Sequence, residues 1–186
     1  MLREVVLSRP LNDFDRLVLE FVEAIEGAVR SYVVVAGYVA ILFGRPRTTD
    51  DVDVIAEADS ALSLYSALKR RGFEVLTLES SIEEDYRERS VRFYKPPSIL
   101  PNFEVKAPRN EFHRYALENR VKVLLGGRVI YISPIELQIA YKVHLGSMKD
   151  LEDAKYLYES FRERLDRGEL ERWARRLSID VSILET

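Results

Sequence analysis

Two aspartates separated by one residue constrain this chain more than any other feature. They belong to the segment Gly37–Ile55 and stand in the alternating run Asp51-Val52-Asp53-Val54-Ile55. Side chains of a β-strand point alternately to its two faces, so a strand here puts both carboxylates on one face and the valines in a core. Two ionised carboxylates held side by side repel each other and need a cation or strong hydrogen-bond donors. Because oxygen-only ligands suit Mg²⁺ or Mn²⁺, we predict that Asp51 and Asp53 are metal ligands. The alternative is that they are turn formers and caps at a loop–strand junction.

The residues before this pair suit a bound phosphate. An apolar run over residues 32–36 reads as a buried strand, and Gly37 follows it at once. A glycine there lets a ligand approach the backbone, and the next residues can open a short helix. Arg45, Arg47, Thr48 and Thr49 then supply positive charge and hydroxyl groups. This order of strand, glycine, short helix, basic loop and acidic strand is suited to a triphosphate with its metal.

The order also resembles the signature of the nucleotidyltransferase superfamily, which is strand, Gly-Gly or Gly-Ser, a spacer, then Asp-x-Asp on a strand. More narrowly, the run Arg47-x-Thr49-x-Asp51-x-Asp53 is similar to the minimal nucleotidyltransferases and their AbiEii-type toxin relatives. The resemblance implies an α+β fold, a mixed β-sheet flanked by helices, and a nucleoside triphosphate bound with magnesium or manganese. It implies that Gly37, Arg47 and Thr49 contact the nucleotide.

Tyr38 departs from the family pattern. The family has a small residue at this position, after the glycine, and that residue contacts the triphosphate. The resemblance places Tyr38 at the nucleotide, and two consequences stay open. The site is catalytic despite the larger side chain, or Tyr38 fills the triphosphate pocket and leaves a module that binds without catalysing.

A second strand carries a third carboxylate. In Asn102-Phe103-Glu104-Val105-Lys106 the polar residues share one face and the apolar residues share the other. If this strand lies beside Asp51–Ile55, Glu104 completes a three-carboxylate metal site, as a later-strand carboxylate does in the family. The alternative is an edge-strand glutamate in water.

The chain after residue 120 predicts a hairpin and a helix. Two apolar strands, Val121–Leu125 and Arg128–Ile132, flank Gly126-Gly127, which supplies the positive φ that a two-residue turn needs. Ser133-Pro134-Ile135-Glu136 then has the pattern of a capping box, with a helix running to about Ser147.

That helix and the next one also match the AbiEii-like pattern. By resemblance, Lys142 contacts the nucleotide phosphates, and Asp150 or Asp153 positions groups around the site. Aspartates at a helix start are also good caps, and for Asp153 we favour that structural role.

Other segments complete the expected architecture. A helix capped by Asn12 has one apolar stripe, residues 73–78 are predicted to be a strand, and prolines at 96, 97 and 101 predict an irregular connection. We predict a nucleotidyltransferase-like domain over residues 1–148. A helical section over residues 149–186 is expected to pack on it without forming an independent domain.

Composition excludes several classes of site and of partner. The net charge of −3 gives no overall positive field that would attract nucleic acid or an anionic membrane. The absence of cysteine excludes disulfides, thiolate zinc sites and cysteine nucleophiles. With two histidines, a histidine-rich metal site is disfavoured. No apolar run is long enough to span a bilayer, and the first residues lack a signal-peptide core, so we expect no membrane partner and a cytoplasmic protein. The abundance of Glu, Arg and Tyr hints at a thermophilic source.

These observations predict a metal-dependent nucleotidyltransferase, a transferase that moves a nucleoside monophosphate from a nucleoside triphosphate to a hydroxyl of an RNA or protein acceptor. Two magnesium ions would lie at Asp51, Asp53 and Glu104. One alternative is a catalytically impaired module that binds a nucleotide or an antitoxin-like protein partner. Another is a different carboxylate–metal enzyme, such as a nuclease or a nucleotide-sugar transferase.

Overall fold

The computed structural model describes residues 2–185, which form eight strands, eight α-helices and two short 3₁₀ turns. The strands are β1 (Glu4–Leu7), β2 (Ser31–Val35), β3 (Asp51–Glu57), β4 (Glu74–Val75), β5 (Val91–Lys95), β6 (Ser98–Lys106), β7 (Val121–Leu125) and β8 (Arg128–Ile132). The helices are α1 (Asp13–Ile25), α2 (Gly37–Leu42), α3 (Ala61–Lys69), α4 (Ile82–Glu88), α5 (Glu111–Glu118), α6 (Ile135–Leu145), α7 (Met148–Phe161) and α8 (Arg167–Leu177).

All eight strands belong to one mixed sheet in the order β1-β7-β8-β2-β3-β6-β5-β4. At its centre, β3 runs antiparallel to β2 and parallel to β6. The predicted mixed sheet with flanking helices is confirmed. The parallel pairing of β3 with β6 joins segments about 50 residues apart in sequence, and it brings the two acidic strands side by side.

One face of the sheet packs on α1 and α3. The apolar residues of β3 and β6, Val52, Val54, Phe103 and Val105, are fully buried. Phe21 of α1 stacks on Phe103 with the ring centroids 3.8 Å apart. The α1 helix starts as its sequence predicts, because Asn12 closes a capping box with the third helical residue. This apolar layer turns the polar faces of β3 and β6 to the opposite side.

The opposite face is covered by α5 and α6, and α7 and α8 pack against α6. The C-terminal helices contribute buried side chains to the same hydrophobic core, among them Leu157, Phe161 and Leu170. This is the helical section that the sequence predicts, while the division at residue 148 stays a prediction.

No strand is predicted for residues 4–7, where β1 pairs in parallel with β7. Two local expectations differ from the structure. Of the predicted strand 73–78, only Glu74 and Val75 form β4, at the edge of the sheet, and the N–H of Leu76 also donates to the carbonyl of Arg92 at 2.9 Å. The proline-rich connection is instead the tight turn between β5 and β6, and β6 already starts at Ser98.

The predicted capping box before α6 is wrong. No side chain caps this helix, and the buried Glu136 instead accepts a hydrogen bond from the backbone N–H of Asp166 at 2.9 Å. Glu136 thus ties α6 to the start of α8. Within residues 2–185, no helix combines the length and apolarity needed to cross a bilayer.

Candidate active site

Three carboxylates meet on the polar face of two adjacent strands. Asp51 and Asp53 occupy alternate positions of β3, and Asp53 lies directly opposite Glu104 of β6 in the parallel register. All three are partly exposed, whereas the intervening valines are buried. The predicted adjacency of Glu104 to the aspartate pair is confirmed.

Two cations contact this acidic group. Lys106 Nζ donates to Asp53 Oδ1 at 3.0 Å and to Glu104 Oε1 at 3.4 Å. Arg92 Nη2 on the neighbouring strand β5 donates to Glu104 Oε2 at 3.0 Å. Glu104 is therefore held between Lys106 and Arg92.

These contacts affect the protonation of the carboxylates differently. Burial raises the pKa of Asp53, and Lys106 opposes that shift without cancelling it. Burial also acts to raise the pKa of Glu104, but Lys106 and Arg92 outweigh it, so that the pKa of Glu104 lies below its ordinary value. The neighbouring cations thus favour the ionised form of Glu104. The ionised form of Asp53 is only partly stabilised by Lys106, so a further cation near Asp53 would stabilise it.

Asp51 and Asp53 offer carboxylate oxygens on one face of β3, the ligand type that a divalent cation such as Mg²⁺ prefers. Lys106 and Arg92 form salt bridges with Asp53 and Glu104. Within residues 2–185 no salt bridge to Asp51 is seen, and Arg47 attracts this carboxylate electrostatically. Among residues 2–185, however, no three acidic or histidine side chains are grouped closely enough to hold a metal ion. Glu104 is paired with both Lys106 and Arg92, and Asp53 is paired with Lys106.

The glycine, the basic loop and the acidic strand come together as their order in the sequence predicts. A Cβ added to Gly37 would collide with Nη2 of Arg47 and would lie 3.3 Å from Thr49 Oγ1. Thr49 Oγ1 in turn donates to Asp51 Oδ1 at 3.3 Å. The guanidinium of Arg47 thus lies directly over the glycine at the start of α2, one strand away from the carboxylates.

A fully buried aspartate holds the basic loop in place. Arg47 donates to both carboxylate oxygens of Asp153, through Nε and Nη2 at 2.9 Å each. Arg45 also pairs with Asp153, and Lys142 Nζ donates to its Oδ2 at 2.6 Å. Asp153 has no exposed surface, and three cations surround it. It is not a helix cap, because Ser147 caps α7.

Lys142 is nearly inaccessible to a bound phosphate. Its side chain is 3% exposed, and its amine also donates to Asp150 Oδ1 at 3.1 Å. Burial lowers the pKa of Lys142 below its ordinary value, although Asp150 opposes the shift. Lys142 therefore joins α6 to α7 through two carboxylates.

The side chain of Tyr38 points away from this site. It is fully buried, its hydroxyl donates to Asp15 Oδ1 at 3.0 Å, and its ring packs edge-on against Phe14 of α1. The idea that Tyr38 fills the triphosphate pocket is wrong, because α2 turns this residue into the core. Only its backbone is left to contact a ligand.

A cavity of about 260 Å³ opens beside Asp53 and Lys106. It lies between the sheet and the helices α5 and α6, and Phe112, Tyr141 and Leu137 give it mainly apolar walls. His113 and Lys142 add polar groups to its lining. The cavity is thus an apolar space that a small organic group can enter next to the carboxylates.

Comparison with solved structures identifies the fold. The solution structure of the antibiotic-resistance factor ANT(2'')-Ia superposes with a TM-score of 0.59 at 12% identity, covering 90% of this chain and 93% of that one. The chain has a nucleotidyltransferase-like fold. A crystal structure of ANT(2'')-Ia in complex with adenylyl-2''-tobramycin gives a TM-score of 0.56 at 12% identity, with 88% and 95% of the two chains covered. An antigenic nucleotidyltransferase-like protein from Paracoccidioides brasiliensis gives 0.54 at 17% identity, with 95% of each chain covered.

Neither a protein-family profile nor a curated protein sequence matches this chain. At these identities the structural likeness establishes the nucleotidyltransferase-like fold and no activity.

One residue of this site, Lys106, has no role assigned to it by the sequence, although strand periodicity places it on the face of Glu104. For Asp153 the favoured role of a helix cap is wrong, because Asp153 holds both arginines of the basic loop. No local sequence signal links the two arginines to Asp153, which lies 106 positions after Arg47.

Proposed function

We propose that this protein is a metal-dependent nucleotidyltransferase that moves a nucleoside monophosphate from a nucleoside triphosphate to an acceptor hydroxyl. The observation that carries the proposal is the register of β3 and β6, which sets Asp53 opposite Glu104 with Asp51 on the same face. The structural neighbours support it, since one structure of ANT(2'')-Ia is a complex with adenylyl-2''-tobramycin.

In this proposal Asp51 and Asp53 hold the metal ion, Mg²⁺ or Mn²⁺. When bound, the ion neutralises phosphate charge and favours departure of pyrophosphate. Glu104 accepts the proton of the acceptor hydroxyl at a carboxylate oxygen. Lys106 and Arg92 hold that carboxylate in place through their hydrogen bonds. The backbone at Gly37 and Tyr38 receives the triphosphate, and Thr49 orients Asp51.

Arg47 is proposed to stabilise the phosphate charge. It lies over Gly37 and is already fixed by Asp153, so little side-chain entropy is lost when it binds. Lys142 is linked to Arg47 through Asp153, which both side chains contact. Direct contact of Lys142 with phosphate, as the family resemblance implies, would require it to exchange Asp150 or Asp153 for the ligand.

The acceptor is proposed to approach from the side of the cavity, because Asp53 lies in the wall of this cavity. RNA or protein acceptors were expected from the sequence. The volume of about 260 Å³ accommodates one side chain, one nucleotide base or a small molecule.

Pyrophosphate release tests this function. Wild type is incubated with each of the four nucleoside triphosphates, Mg²⁺ and a panel of RNA, protein and small hydroxyl acceptors. Asp53→Asn is expected to abolish release and leave the fold intact. Asp50→Asn is the matched control, because this neighbouring aspartate is exposed. An Asp53→Asn variant with wild-type release would refute the mechanism, and nicked strands or free nucleoside diphosphate would indicate a nuclease or a sugar transferase.

A second candidate is a non-catalytic module of the same fold. The observation that favours it is that protein cations already bind the key groups: Arg47 covers Gly37, and Lys106 binds Asp53 and Glu104. Such a module would bind a nucleotide, or a protein partner as in the AbiEii-like toxin–antitoxin pairs that the motif resembles. Triphosphate binding without pyrophosphate release from any acceptor would favour this candidate.

A further inference from the structure

The ammonium group of Lys106 occupies a position between two of the three carboxylates. Its Nζ is 3.0 Å from Asp53 Oδ1 and 3.4 Å from Glu104 Oε1, and its side chain is 22% exposed. These carboxylates belong to two different strands, so a single charge bridges β3 and β6. In a site that binds two divalent ions, a metal ion would be expected to bridge carboxylates in this way.

The backbone fixes this arrangement. Lys106 is two residues after Glu104 and therefore on the same face of β6, and in the parallel register its backbone pairs with Ile55. Ile55 is apolar and buried, so the lysine finds no partner directly opposite and reaches back along the strand to Asp53. The carboxylates next to it are the nearest groups able to balance its charge.

We propose that Lys106 takes the place of a second divalent cation, so that this site binds a single divalent ion, at Asp51 and Asp53. This inference rests on the proposed function, and it replaces the two-ion site that the motif alone suggests. A divalent ion between Asp53 and Glu104 would lie within a few ångströms of the ammonium group, and like charges at that distance repel strongly at a partly buried site. Glu104 is accordingly a partner of Lys106 and Arg92, and it is not a metal ligand.

The role assigned to Lys106 is positioning. It holds Glu104 and Asp53 at a fixed separation without a metal ion, which leaves Glu104 available to the acceptor hydroxyl. A lysine is tethered to the chain, so it fills this position at any metal concentration.

The proposal is tested by measuring how the full chain binds Mn²⁺ alone. Titration calorimetry gives the affinity and the number of ions bound per chain, and electron paramagnetic resonance measures the concentration of free Mn²⁺. Wild type is expected to bind one ion per chain. Lys106→Met is expected to bind a second ion, or to bind the first about tenfold more tightly, which corresponds to about 1.4 kcal/mol. Lys106→Arg keeps the charge and should keep the wild-type stoichiometry. Lys122→Met is the matched control, since Lys122 is more exposed and pairs with Glu4 on β1, at the distant edge of the sheet.

The outcomes separate this inference from the proposed function. Two ions bound by wild type would overturn the role of Lys106 and leave the nucleotidyltransferase proposal intact. This measurement uses wild type alone, so it does not require that the variant folds. Identical stoichiometry and affinity in Lys106→Met and wild type would also overturn it. If neither protein binds Mn²⁺, both the inference and the metal-dependent function fail. Asp51→Asn should lose the single wild-type ion, and retention of that ion would refute the assignment of the ion to the aspartate pair.

Discussion

Replacing Asp153 by asparagine should destabilise the whole fold, although residue 153 is remote in sequence from the acidic motif. Asp153 is fully buried and contacts Arg45, Arg47 and Lys142, whose side chains are 12%, 11% and 3% exposed. The substitution keeps the size of the side chain and removes its charge. Three enclosed cations would then lose their shared counter-ion, and the new amide would turn a donor toward donors.

The magnitude follows from the burial of this network. Removing one partner of a buried ion pair costs about 3–5 kcal/mol, because the remaining charge stays buried without compensation. Here the remaining charges belong to several side chains, and Asp150 and Glu152 provide only partial relief. We expect a loss near the upper end of that range, which is a large part of the roughly 5–15 kcal/mol that stabilises an ordinary domain.

Equilibrium unfolding in urea measures the effect, and the neighbouring Glu152→Gln is the matched control. Glu152 is 59% exposed and pairs with Arg45 at the surface, so its loss should cost no more than about 1 kcal/mol. A loss below about 1 kcal/mol for Asp153→Asn, or one equal to that of Glu152→Gln, would refute the claim that this aspartate anchors the basic loop.

Three further predictions concern other residues around the site. Tyr38→Phe should cost about 1–2 kcal/mol in urea unfolding, because it removes the hydrogen bond to buried Asp15, and should leave triphosphate affinity unchanged; weaker triphosphate binding would contradict the buried placement of Tyr38. Gly37→Ala should cost about 1–2 kcal/mol and weaken triphosphate binding, because its Cβ displaces Arg47; unchanged stability and affinity would contradict the contact. Burial lowers the pKa of His113 to about 4, so the unfolded chain takes up its proton first as the pH falls from about 6.5 to about 4, and stability falls in that window. Because the residue is partly exposed, we expect the free energy of unfolding to fall by about 1 kcal/mol between pH 7 and pH 5 in wild type. This fall should be absent in His113→Gln when urea midpoints are compared, and an equal pH dependence in both proteins would contradict the prediction.

The sequence predicts the acidic half of the site well. Strand periodicity alone places Asp51 and Asp53 on one face, and the same rule places Glu104 and Lys106 together on β6. The pairing of β3 with β6 needed a further assumption about topology, which the family resemblance supplied and the register confirms.

The basic half could not be predicted in the same way. The contact between Arg47 and Asp153 joins residues 106 positions apart, and no local pattern encodes a pairing of that range. Asp153 near the start of a helix resembles a cap because capping depends on neighbouring residues alone, whereas its burial depends on how α6 and α7 pack. The direction of Tyr38 likewise depends on the orientation of α2 against α1.

The central claim is that Asp51 and Asp53 bind a metal ion with a nucleoside triphosphate, and thermal stabilisation tests it most directly. Unfolding is followed with ATP, GTP, CTP and UTP, each with and without Mg²⁺, on wild type, Asp53→Asn and the control Asp50→Asn. A ligand at a hundred times its dissociation constant adds about 2.7 kcal/mol of stability. We predict a magnesium-dependent shift with at least one triphosphate that Asp50→Asn keeps and Asp53→Asn loses. A shift that is the same in Asp53→Asn, or no shift with any of the four triphosphates, would contradict the account.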